Sequence, residues 1–319
     1  MTFVLLAAIA GFASFALVDA VCSAVLALTF ERIGARLDRY SPASRSSLLF
    51  RLRLAPAAIA LIAGFGVSLP IFVAFEPFDT DEAVSRTLVV VALAGVCVLA
   101  RAGWRALAAS RATRRVSREW QRLGRRIDPA SLGVKAAFPV FAIDASFPLV
   151  AVVGITRPVL FVAERVLAEC SGAQVRAMIA HECAHVDARD NLKRFLLGAC
   201  PDLLRIGGRA TRTWTSAAEE AADAAAAGAR PGCALDLAHA LIRVARLAPL
   251  PAPALASSFY PGGDIERRVR RLVDPVAAPD VPATLTLTLA SAVLALVAAA
   301  LVLAPALHQV MEAVVRRVP

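Results

Sequence analysis

The chain has 319 residues, of which 58% are hydrophobic and only 19% charged, and it carries a net charge of +10. That balance excludes an ordinary soluble protein, in which about a quarter of residues are charged. The positive surplus does not indicate nucleic-acid binding: the arginines gather in two segments between apolar runs, and no recognition motif accompanies them.

Residues 3–30 are apolar except for Asp19. The run lacks a positive n-region and a cleavage site and is too long for a signal-peptide core, so it is expected to stay as a first span. Asp19 is costly in lipid and is expected either to contact another span or to lie near the outer interface. Residues 54–75 form an uncharged run of 22 residues, and residues 281–307 one of 27. A hydrocarbon layer of ~30 Å needs about 20 helical residues, so both can span. The shorter run 87–100 lies between Arg86 and Arg101, whose stems can reach the headgroups, with Trp104 suited to an interface; it is read as a further span.

Residues 31–53 hold six arginines against Glu31 and Asp38, and residues 101–128 hold nine against Glu119 and Asp128. The connection "EPFDTDEAVSR" is acidic. The positive-inside rule then places both basic segments in the cytoplasm of a multi-pass protein of the cytoplasmic (inner) membrane. The expected organisation is a membrane domain over 1–100 with spans at 3–30, 54–75 and 87–100, a cytoplasmic domain over 101–280, a last span at 281–307 and an extracytoplasmic tail at 308–319. The six cysteines show no paired framework and are expected as free thiols.

The cytoplasmic domain opens with an arginine-rich helix expected to lie along or near the membrane surface. The runs "FPVFAI", "PLVAVVG" and "PVLFVA" read as strands of a small sheet. The edge of "PLVAVVG" can receive a substrate as an added strand, or it is plain sheet. Ser171 and Gln174 form a capping box at the start of the helix "GAQVRAMIAHECAHVDA", and the Ala-rich stretch 217–229 keeps helical propensity.

That first helix carries "HECAH". Residues four apart share a helix face, so His181 and His185 can offer two imidazole nitrogens to one cation, with Glu182 beside it to move a proton of an activated water. This is the chemistry of zinc peptidases: the metal lowers the pKa of water toward ~7 and polarises the scissile carbonyl. A third ligand is needed. His239 and His308 are remote, but "EEAAD" brings Glu219 and Asp223 at the same spacing, so that one carboxylate can bind the metal and the other hold an imidazole by its second nitrogen. Glu220 points about 100° away. Cys183 falls on the opposite helix face and is read as core. An oxyanion donor is also required, and His239, Tyr260 and several arginines are available.

The block "PVLFVAERVLAECSGAQVRAMIAHECAHVDARDNL", with the later "AAEEAADAAA", resembles the catalytic core of gluzincin membrane peptidases, which include the HtpX-like and BlaR/MecR-type enzymes. The later "GGDIERRVRRLVDP" is similar to a helix closing that core. Three spans before the core and one after it favour the BlaR/MecR type. The resemblance implies a mainly α-helical membrane protein of about four transmembrane helices, with an α+β zinc peptidase domain inserted between the third and fourth. It implies one Zn2+ per chain held by His181, His185 and Glu219, with Glu182 as the catalytic base. Asp223, Arg189 and Asp190 would support those ligands. The implied substrate is a cytoplasmic or membrane-proximal protein, cleaved in regulatory proteolysis and signal transduction, and the lipid bilayer is the other partner. Only "HQVMEAVVRRVP" follows the last run, so antibiotic sensing is not expected to carry over. The competing readings are an HtpX-like quality-control protease and a non-catalytic membrane transducer that keeps the fold.

Overall fold

Three rods of helix open the chain in the computed structural model, which describes residues 3–75, 85–134, 136–145, 149–247 and 262–282. They are α1 (Phe3–Leu37); a second rod of α2 (Pro42–Leu61), a π-helical stretch (Ile62–Ser68) and α3 (Leu69–Phe75); and α4 (Arg86–Leu123). All three are long and apolar enough to cross a membrane. Their starts are set locally. The Ser41 hydroxyl accepts from the Ser44 amide with Pro42 in the first turn, and the Ser85 hydroxyl accepts from the Thr87 amide.

Small residues bring the rods together, as expected where lipid removes the hydrophobic drive between helices. A methyl group on Gly64 would meet the Gly11 carbonyl oxygen at 2.6 Å, and one on Gly95 would meet that of Phe12 at 2.5 Å. Backbone therefore meets backbone at both crossings of α1.

The run 87–100 and the arginine-rich segment after it are one uninterrupted helix of 38 residues. At 1.5 Å per residue that is about 57 Å, far more than the hydrocarbon thickness. The arginines therefore continue the line of the span rather than forming a separate helix lying flat on the membrane, because no proline or turn sequence breaks the chain near residue 101. The far end of α4 packs on the sheet, with Trp120 edge-on to Phe161 at 5.2 Å.

The sheet has four strands in the order β1-β2-β4-β3: β1 (Arg125–Ile127), β2 (Val140–Ile143), β3 (Val150–Val153) and β4 (Val159–Ala163). β2 and β4 are parallel, pairing Val140 with Leu160; the other two pairings are antiparallel. The three apolar runs thus become strands as expected, with β1 added from charged sequence. β4 is buried throughout and β3 lies at an edge.

Among the described residues six helices follow: α5 (Glu164–Glu169), α6 (Gly172–Asp187), α7 (Asp190–Ala199), α8 (Gly208–Gly228), α9 (Cys233–Leu247) and α10 (Gly262–Val273). Both halves of the capping box at Ser171 and Gln174 form. The main core joins the sheet to α6 and α9, while a second cluster seats Phe30 and Leu49 of the first two rods against Leu197 of α7 and Trp214 of α8. The C-terminal end of the first apolar run is therefore covered by protein.

Asp19 takes neither of its expected positions. It is fully buried, and its carboxylate accepts from the Leu203 amide at 2.9 Å in the α7–α8 connection. In the same connection Arg53 pairs with Asp202 at 3.1 Å and Arg101 donates to the Asp202 carbonyl at 2.8 Å. Each rod thus sends one polar side chain toward the connection between α7 and α8. The acidic connection over 76–84, the last expected span from residue 283 onward and the tail 308–319 lie outside the described residues.

Candidate metal centre

α6 presents His181 and His185 on one face, their rings edge to face with centroids 4.7 Å apart. The two Nε2 atoms lie 3.1 Å from each other. From α8, Glu219 brings one carboxylate oxygen to 3.4 Å from His181 Nε2 and the other to 3.5 Å from His185 Nε2. Zinc bonds of about 2.0–2.1 Å to nitrogen and oxygen set tetrahedral ligands roughly 3.3 Å apart, so this spacing fits one such ion. The three residues can hold a metal ion.

The outer ring nitrogens explain why both Nε2 atoms face inward. His185 Nδ1 lies 2.7 Å from Asp190 Oδ2, and His181 Nδ1 lies 2.9 Å from Asp223 Oδ1, the second contact being off the line of a good hydrogen bond. Such carboxylates fix the tautomer and orientation of a ligating imidazole. They are held in turn: Lys193 donates to Asp190 at 3.2 Å, and Arg268 grips Asp223 with two bonds of 2.6 and 2.8 Å.

Burial disfavours charge on His185, yet Asp190 and Glu219 outweigh it and push its pKa up to about 9. His181 is likewise raised, with burial opposing and Asp223 and Glu219 prevailing. Burial acts to raise the Glu219 carboxyl, but the two imidazoles bring it well below the usual range; Asp190 and Asp223 are lowered too, by His185 and by Arg268 respectively, against the same desolvation. The cluster is thus a set of anions that demands positive charge, which imidazole protons supply or a divalent ion can supply in their place.

Glu182, one residue along α6, lines the same pocket as the three ligand candidates and accepts from the Val152 amide of β3 at 2.9 Å. Asn191 donates to the carbonyls of Val152 and Gly154, both at 3.0 Å. The open edge of β3 at Val152 is therefore occupied by side chains.

Arg189 is not drawn to the ligands. It is exposed, and its left-handed backbone (φ 56°, ψ 37°) makes the turn from α6 into α7. Glu220 faces away from the centre, buried among Arg45, Arg267 and Arg271. Cys183 is half-buried and faces a cavity of about 780 Å³ behind α6, so it is not fully core. Arg194, Arg268 and Asn191 are additions that the motif did not reveal. Arg194 reaches one oxygen of Glu219 at 2.7 Å and Arg268 the other at 3.3 Å. Arg268 alone left a signal: it stands between Ile265 and Leu272 on the apolar side of α10, where a charge must find a partner.

No curated protein matches the chain. Residues 111–250, which begin in the C-terminal half of α4 and include α9, match the model of peptidase family M48, a likeness that together with the three apolar helices and the His-His-Glu group points to a membrane-associated metallopeptidase.

Proposed function

We propose that this chain is an integral-membrane zinc endopeptidase whose site faces the cytoplasm and cleaves a cytoplasmic or membrane-proximal protein. One observation carries the reading: two imidazole nitrogens and a carboxylate, from separate helices, stand at 3.1 to 3.5 Å from one another. Glu182 shares their pocket.

His181, His185 and Glu219 would hold one zinc, which supplies an acidified water and polarisation of the scissile carbonyl. Glu182 takes the water's proton and passes it to the leaving amine. Asp190 and Asp223 keep the imidazoles turned inward. The cytoplasmic placement rests on the two basic segments and the positive-inside rule. The regulatory, BlaR/MecR-like version of the reading rests on three apolar helices preceding the core.

The test is metal analysis of the purified chain together with comparative proteomics of cells carrying the native protein or Glu182→Ala. The expected result is about one zinc in both proteins and one uncut protein that accumulates only with the variant. Accumulation of many damaged membrane proteins would favour a quality-control protease. A cellular phenotype untouched by Glu182→Ala would favour a transducer without catalysis.

A further inference from the structure

We propose that Arg194 is a catalytic residue that donates to the substrate carbonyl oxygen and stabilises the negative charge formed there. The inference rests on the peptidase reading above.

Water adding to a peptide carbonyl forms a C–O bond while Glu182 accepts the proton, and the π pair of the carbonyl moves onto oxygen. Collapse restores the C=O bond, breaks the C–N bond and sends the proton from Glu182 to the amine. The transient oxyanion needs a fixed donor in a site poor in water.

The surroundings leave few groups for the task. His239 is exposed on α9 and does not line the metal pocket, and Tyr260 lies outside the described residues. Asn191 has its amide on the carbonyls of Val152 in β3 and of Gly154 just after it. Among the described residues, the arginines that line the pocket are Arg194 and Arg268. Arg268 is 5% exposed with its fork closed on Asp223.

Arg194 is held differently. One guanidinium nitrogen is anchored on Glu219 at 2.7 Å, the Nε is buried without a hydrogen-bond partner, and 35% of the side chain remains open. A planar guanidinium carries five N–H donors in a rigid fork, so anchoring one arm aims the others. Arg194 lines the same pocket as His181, His185 and Glu182. An unmet buried donor next to the position of a developing anion is what the chemistry requires.

The full chain, loaded with zinc in lipid nanodiscs, is titrated with two probes. A phosphoramidate dipeptide offers a tetrahedral anion; a dipeptide hydroxamate binds zinc through a planar group. Arg194→Gln is expected to weaken the phosphoramidate about 100-fold, the scale of one oxyanion donor, while hydroxamate affinity and zinc content stay near native values. Arg194→Lys should recover part of the loss. Equal weakening of both probes, or loss of zinc, would show that Arg194 only holds Glu219 and would overturn the proposal. Unchanged phosphoramidate affinity would overturn it too. A native chain that holds no zinc and binds neither probe would bring down the peptidase reading itself, and this inference with it.

Discussion

Asp190 holds His185 by its outer nitrogen at 2.7 Å although it follows only five positions later, because Arg189 turns the chain through a left-handed conformation between α6 and α7. The turn ends α6 and opens α7 at the residue whose carboxylate reaches His185. Asp190→Ala leaves the imidazole free to rotate and removes the acceptor that makes it a better ligand. Zinc affinity, measured by competition with a chromophoric chelator, should fall about 10- to 100-fold.

Arg268 and Asp223 form a buried two-bond ion pair, both about 5% exposed or less. Arg268→Leu leaves the Asp223 carboxylate buried without its main partner, a change that costs about 3–5 kcal/mol. The melting temperature in detergent should drop clearly. Arg268→Leu combined with Asp223→Asn should lose less than Arg268→Leu alone, because no uncompensated charge remains; a double variant as unstable as the single one would contradict the pairing.

What could be read from the chain beforehand was what local spacing determines. A spacing of four positions from His181 to His185, and of four from Glu219 to Asp223, puts each pair on one helix face wherever the helices go. Ser171 and Gln174 fix a helix start for the same reason. Other features needed the tertiary structure. The sequence "RRI" is too short and too charged to read as a strand, and β1 exists because β2 offers it an edge. Arginines 45 and 53 look like headgroup-facing charges in a count of topology, yet both are buried in pairs with Glu220 and Asp202. The continuity of α4 was hidden because hydropathy falls at Arg101 while the helical backbone does not change. Asn191 and Arg194 follow the motif closely, but nothing in their spacing tells that one meets β3 and the other Glu219.

If His181, His185 and Glu219 hold a metal as proposed, removing it should destabilise the helices and sheet around them, because an ion bound only by the folded chain adds stability by mass action, about 4.1 kcal/mol at a free concentration 1,000 times Kd. Prolonged dialysis against a chelator should lower the melting temperature, and zinc should restore it. The shift should be smaller in Glu219→Gln, which removes the charge of the ligand contributed by α8 but retains its shape. A chelator-insensitive melting curve in the native chain would argue that the cluster of His181, His185 and Glu219 is a proton-filled ion network alone.

Two glycines in α4 should respond in opposite directions to the same substitution. A methyl at Gly95 would meet the Phe12 carbonyl at 2.5 Å, whereas one at Gly103 would meet nothing within 4 Å. Gly95→Ala must therefore push α1 and α4 apart, at a cost of about 1–3 kcal/mol typical of overpacking. Gly103→Ala gains helix propensity instead, by up to ~1 kcal/mol. Melting temperature and the folded yield from membranes should fall for the first and hold or rise for the second. Because α4 runs unbroken from that crossing to the sheet, where Trp120 packs on Phe161, Gly95→Ala should also raise the hydrogen exchange of β4 relative to Gly103→Ala; equal exchange in the two variants would show that the N-terminal, apolar end of α4 is mechanically independent of the sheet.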